Sequence, residues 1–281
     1  MKIRALIKRR LKDLYREIEG VSESADIEYL HRMRVASRRL RNALWVYSGS
    51  FPPHKSKHFR KKVKRITRAL GKARDLDTQL SFARSVEKEL AGTQTPRQRL
   101  EAFIKKLVAQ RSEAQRRITL ALRWLQKEKL YKEILKSLKR SGKPKISPAA
   151  QKKKILRRLD KLLAYAPVVQ REHDVRGLHA MRIAAKHLRY TLENLRPLQG
   201  KRLESFIEEA AAIQRLLGQV HNYDVWMRSP CLKKRGDRAE AYFIARCRKL
   251  RLKAYHDFVR LWKKQEKNRT WENLREYLRH L

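Results

Sequence analysis

Four side chains in the first fifth of the chain, His31, Arg34, Arg38 and Arg41, are spaced three, four and three positions apart. On a helix that spacing gathers them into a sector of about 80°. They then form one row, roughly 15 Å long at about 1.5 Å rise per residue. Met33, Ala36, Leu40, Ala43, Leu44 and Tyr47 fall on the opposite side, so the row lies away from the helix's main apolar face. Such a row suits an anion bearing several phosphates. An arginine fork donates two parallel hydrogen bonds to phosphate oxygens, and a charged imidazole adds a further donor. In a chain with 72 Lys and Arg, a solvated face would explain one such row.

The row occurs twice. With His31 set on His179, HRMRVASRRLRNAL lies above HAMRIAAKHLRYTL with seven of fourteen positions identical. His179, Arg182, Lys186 and Arg189 repeat the row, and Met181, Ala184, Leu188 and Leu192 repeat the apolar side. Two copies that differ at half their positions yet keep the histidine and three cations in register point to a ligand. The histidines have three possible roles, in this order: donating to phosphate when charged, a structural place at a helix start, and acid–base chemistry. Catalysis would need an orienting carboxylate together with a nucleophile or metal. Asp174 stands five positions before His179 and Glu28 three before His31, which is no repeated spacing.

A second pair of segments matches at nearly the same offset. FRKKVKRITRALGKARDLD, from Phe59, lies above FIEEAAAIQRLLGQVHNYD, from Phe206. Phe59/Phe206, Ile66/Ile213, Arg68/Arg215, Leu70/Leu217, Gly71/Gly218 and Asp77/Asp224 coincide. Arg68 and Arg215 recur in register and join the ligand candidates. The recurrent Asp77 and Asp224 sit among cations, and the expectation is that each pairs with a row arginine and aims it at the ligand. A cap or an ordinary surface ion pair is the plainer alternative.

The elements that must position these residues are helices. Nine Gly and eight Pro in 281 residues are about half the usual share, and no stretch alternates with period two. Breaks at Gly49–Pro53, Gly92–Pro96, Ser141–Pro148, Pro197–Gly200 and Ser229–Gly236, with weaker ones at Gly20–Asp26 and Pro167–Asp174, leave about eight segments. Thr95-Pro96 and Ser147-Pro148 have the form of an N-cap followed by the first helical residue. The fold expected is all-α: two four-helix bundles from an internal duplication, repeats 1–145 and 146–281, within one domain 1–281.

Against 72 basic residues stand 28 acidic ones, a formal net charge of +44. A hydrophobic share of 42% separates the chain from a disordered basic tail. The expected partner is a polyanion. Cys231 and Cys247, without zinc-ligand spacing around them, read as ordinary thiols. The charged first twenty residues lack a secretory apolar stretch, and the longest apolar run, Leu162 to Val169, is far short of the roughly 18 residues of a membrane span. A cytoplasmic protein is expected, with no membrane partner.

The pattern His-x-x-Arg-x-x-x-(Arg/Lys)-x-x-Arg, followed some forty residues later by Leu-Gly-x-x-x-x-x-Asp and then duplicated, resembles the CHAD family, the conserved histidine α-helical domain. HRMRVASRRLR with LGKARDLD fits closely. In HAMRIAAKHLRY with LGQVHNYD, His221-Asn222 stands where the first copy has Arg74-Asp75. The resemblance implies pseudo-twofold bundles with a basic central groove or pore that binds inorganic polyphosphate, and association with polyphosphate granules and with polyphosphate-metabolising or CYTH-type enzymes. It places phosphate contacts on His31, Arg34, Arg38, Arg41, His179, Arg182, Lys186 and Arg189, supported by Arg74, Asp75, Asp77 and Asp224.

Other phosphate- or sulfate-bearing polyanions would suit the same rows. The runner-up function is a general helical nucleic-acid-binding protein, which the charge allows, but the rows hold no aromatic stacking platform. A polyphosphatase or transferase would need a magnesium site, for which the only repeated carboxylates are Asp77 and Asp224. The chain has neither the Glu-x-Glu-x-Lys signature of the triphosphate-tunnel enzymes nor a Gly-x-x-x-x-Gly-Lys-Ser/Thr phosphate loop. No cofactor, catalytic residue or metal is expected.

Overall fold

The structure, a computed structural model, describes residues 3–23, 26–90, 94–140, 146–229 and 238–280. Cys231 lies outside them. The described residues are helical, with short 3-10 turns and no strand. In chain order the helices are α1 (Ile3–Tyr15), α2 (Ile18–Glu23), α3 (Ile27–Val46), α4 (Lys55–Glu89), α5 (Gln94–Lys127), α6 (Leu130–Arg140), α7 (Pro148–Leu163), α8 (Val175–Gln199), α9 (Glu204–Met227), α10 (Arg238–Lys267) and α11 (Thr270–Arg279). None of the described helices is long and apolar enough to cross a membrane.

Several expected breaks are where the described chain turns, whereas those at Gly20–Asp26, Gly92–Pro96, Ser141–Pro148 and Ser229–Gly236 fall wholly or partly outside the described residues. Ser147 accepts the Ala150 N–H at 3.2 Å ahead of Pro148, the first residue of α7. Gly200 ends α8 at φ 69°, a conformation that favours glycine. Thr95-Pro96 instead falls just inside α5, which already starts at Gln94. Gly20 sits within α2, where the Tyr29 ring lies 2.3 Å from the place a Cβ would occupy. Breaks without Gly or Pro include Arg16-Glu17 between α1 and α2, and Lys129 (φ 45°) and Arg269 (φ 50°), which divide α5 from α6 and α10 from α11.

The chain forms two compact units, residues 1–78 with 108–151 and residues 79–107 with 152–281. In the first, Leu6, Ile7, Leu11 and Leu14 of α1 are buried, as are Met33, Leu40 and Leu44 of α3 and Ile66 and Leu70 of α4. Apart from the adjacent pair Leu6 and Ile7, successive members on each helix lie three, four or seven residues apart, the spacing of one helix face. In the second unit, Met181, Leu188 and Leu192 of α8 and Ile213 and Leu217 of α9 repeat that pattern. An aromatic cluster completes it: Phe82 stacks on Trp226 at 4.9 Å and meets Phe243 edge-on at 5.3 Å. Cys247 is buried there, and desolvation pushes its thiol up to about 12.

The two row helices start alike. Asp26 caps α3, its carboxylate accepting the Glu28 N–H at 3.0 Å, and Asp174 caps α8 by accepting the Gly177 N–H at 2.8 Å. Each cap stands five residues before its row histidine. The repeated spacing that the sequence reading denied therefore exists, with Asp26 as its first member, and its purpose is to begin the helix.

Candidate polyanion site

Both rows lie where the helical spacing puts them. His31, Arg34, Arg38 and Arg41 on α3 are half-buried, as are His179, Arg182, Lys186 and Arg189 on α8. The apolar residues opposite, from Met33 to Tyr47 and from Met181 to Leu192, are buried. Half-burial lowers the local dielectric, so the like charges of a row repel more strongly than on an open face, and an anion bound there gains correspondingly.

The second motif forms the adjoining wall. In the first unit, Thr67 of α4 donates to the Ser37 hydroxyl of α3 at 3.0 Å, and Arg34 donates to Asp75 at 3.1 Å. Gly71 lies one turn from both Thr67 and Asp75 on the same face of α4. A Cβ added at Gly71 would meet nothing within 4 Å, so the glycine leaves space beside the row. In the second unit a Cβ on Gly218 would lie 3.5 Å from Arg182 Nε, which places that glycine against the row as well. Arg68 and Arg215 are exposed, two turns before Asp75 and Asn222 on the same line of their helices.

Asp77 and Asp224 do something other than aim a row arginine. Asp77 is buried and accepts from Arg111 Nε of α5 at 2.6 Å. Asp224 is buried and accepts from Arg251 Nε of α10, also at 2.6 Å. Both lie on the core side of their helices, where a row guanidinium does not reach. Their effect passes through the segment ahead of each row. Arg111 also bonds Gln115 at 2.9 Å, and Gln115 donates to the Val21 carbonyl at 2.8 Å. Arg251 donates to the Glu172 carbonyl at 2.7 Å. Each carboxylate thus ties its helix, through an arginine, to the chain just before α3 or α8. A carboxylate of the second motif that does hold a row arginine is Asp75, on Arg34, and its counterpart Asn222 carries no charge.

The sequence reading missed Arg111 and Arg251. Asp77 and its arginine are 34 positions apart, Asp224 and its arginine 27. The difference of seven is two helical turns, which preserves the helix face while shifting the offset between the copies. At that shifted offset Phe103/Phe243, Ile104/Ile244, Arg111/Arg251, Ala114/Ala254, Lys127/Lys267 and Leu138/Leu278 coincide, a scattered match that stands out only once the offset is known.

The histidines are neutral-leaning. Burial first, and then the positive charge of Arg74, lower the pKa of His31; burial, Arg182 and Lys186 lower that of His179. Nδ1 of each is buried and has no hydrogen-bond partner among the described residues. The copies differ beside the histidine. Arg74 occupies that place in the first unit, whereas in the second the His221 ring lies 4.1 Å from the His179 ring. Arg189 is held by Glu193 of its own helix at 2.8 Å, a contact that the first copy lacks because Trp45 stands at the corresponding position.

The chain's sequence and its fold can be set against known proteins. The CHAD domain family model matches residues 5–229. The chain belongs to the CHAD family. The CHAD domain of the plant Ricinus communis has a similar structure, with a TM-score of 0.65 and 21% identity over 99% of this chain and 91% of that one. PptA from Streptomyces chartreusis superposes with a TM-score of 0.69 at 13% identity, covering 93% of this chain and 98% of that chain. No curated protein matches the chain. At these identities the two structures show the shared all-helical fold. The family match ends at Arg228-Ser229, before α10, so Arg251, which holds Asp224, lies beyond the matched residues.

Proposed function

We propose that this CHAD protein is a non-catalytic module that binds inorganic polyphosphate through its two rows. The observation that carries the proposal is the duplication: His, Arg, Arg/Lys and Arg recur in register, half-buried in both units. A linear polyphosphate presents closely spaced charges and no bases, which matches cations at one per helical turn without a stacking platform. The CHAD family's link to this polymer names the anion. Paired four-helix bundles with a basic groove or pore belong to the same proposal, as do a cytoplasmic location at polyphosphate granules and work alongside polyphosphate-metabolising or CYTH-type enzymes.

A binding role is favoured over hydrolysis by what the repeated carboxylates do. Asp77 and Asp224 each hold a guanidinium at 2.6 Å through one carboxylate oxygen, so magnesium there would meet the positive charge of that arginine. The test is a variant carrying R34A, R38A, R182A and K186A. It is expected to lose long-chain polyphosphate binding while keeping its helical circular dichroism. Retained binding with intact helicity contradicts the proposal, and loss of helicity would show that the rows serve the fold.

A further inference from the structure

The two rows are built alike but charged differently, and the difference centres on His221. In the first unit the position beside the row histidine is Arg74, a permanent cation. In the second it is His221, half-buried, its ring 4.1 Å from that of His179. Charged and titratable groups act on it from neighbouring elements. From α8 these are His179, Arg182 and Lys186. On α9 the nearest carboxylate, Asp224, is one turn further on and already binds Arg251 of α10. Asn222 is neutral. The 3-10 turn Gly200–Leu203, which also packs on α9, bears Lys201 and Arg202 about five turns away.

We propose that His221 is a phosphate ligand of the second row and that it takes up a proton when the anion binds, so that this row's affinity depends on pH through one more group than the first row's. The inference rests on the polyphosphate reading above. In the free protein, burial, Arg182, His179 and Lys186 push His221 down to about 4, so both rings of the pair are neutral near pH 7. A neutral pair spares the row a further positive charge when nothing is bound. A phosphate oxyanion seated on Arg182 and Lys186 supplies the missing counter-charge, and an imidazole then binds a solvent proton and donates it in a hydrogen bond to a phosphate oxygen.

The sign follows from linkage. Proton uptake on binding makes affinity rise as pH falls, by up to about tenfold per pH unit for one proton, between the ordinary histidine value of about 6.5 and the free value of about 4. Without ligand the same shift acts the other way on stability. The unfolded chain binds the proton more readily, so the free protein loses stability as pH falls through that window, and polyphosphate restores it.

The experiment compares the full-length protein with H221R, which installs the first copy's residue, and with H221Q. Long-chain polyphosphate isotherms are measured from pH 8 to pH 5 at constant ionic strength, with helicity checked at each pH. Wild type is expected to tighten with acidification by about one proton more than either variant, and H221R to bind at pH 8 at least as tightly as wild type. If H221R fails to fold, H221Q carries the comparison. Identical pH slopes in wild type and the folded variants overturn the role of His221 and leave the polyphosphate reading standing. Failure of wild type to bind polyphosphate at every pH overturns that reading itself.

Discussion

At the scale of single residues, the account separates cations that meet the ligand from carboxylates that hold the frame. Asp224 and Arg251 are both buried, so removing one partner leaves the other's charge uncompensated, at a cost of roughly 3–5 kcal/mol for such pairs. Because Glu172 still accepts from Arg251, D224A is expected near about 3 kcal/mol in chemical denaturation. Its polyphosphate affinity under conditions where it is folded is expected to match wild type. A large loss of affinity with unchanged stability would return Asp224 to the ligand's side. The rows themselves were legible because one helix carries all four members and its 3.6-residue period is visible in the sequence. The carboxylates' partners were not, because a contact between helices leaves no local spacing and the offset between the copies slips by seven. The Asp26 and Asp174 caps were within reach and were passed over, since the copies were aligned from the histidine onward.

Among the elements, α3 and α4 are joined by the Arg34–Asp75 and Thr67–Ser37 contacts, and Gly71 between them tests whether this wall belongs to the proposed site. Glycine in a helix interior is about 1 kcal/mol less favourable than alanine, and a Cβ there meets no neighbour within 4 Å. G71A is therefore expected to stabilise the protein by about 0.5–1 kcal/mol with little change in binding. G71W, which fills the space beside the row, is expected to weaken polyphosphate binding while preserving helicity. If G71W binds as wild type does, the wall is not part of the site. The order of the helices was largely legible from Gly and Pro clusters. The breaks at Lys129 and Arg269 were not, because non-glycine residues adopt positive φ there under packing that sequence spacing does not report.

At the scale of the whole molecule, the sequence repeats and the compact units are different divisions of one chain. The helices α4 and α5 contribute residues 79–107 to the second unit, with Phe82 and Phe103 both packed on Phe243. A duplicated sequence records descent, whereas compactness records where apolar surface is buried, and aromatic burial has carried the α4–α5 tip into the second core. A net charge of +44 guarantees attraction to any polyanion, so charge alone never distinguishes polyphosphate from nucleic acid. The distinction depends on half-buried rows that act at short range. The most direct measurement is competition for the purified protein among long-chain polyphosphate, duplex DNA and heparin, at about 0.15 M salt and then several-fold higher, where non-specific ion pairing falls steeply. Polyphosphate binding that outlasts the other two, and that requires the Arg34, Arg38, Arg182 and Lys186 side chains, is the expected result. Parallel loss of all three ligands with rising salt would contradict the account and leave only a general attraction between opposite charges.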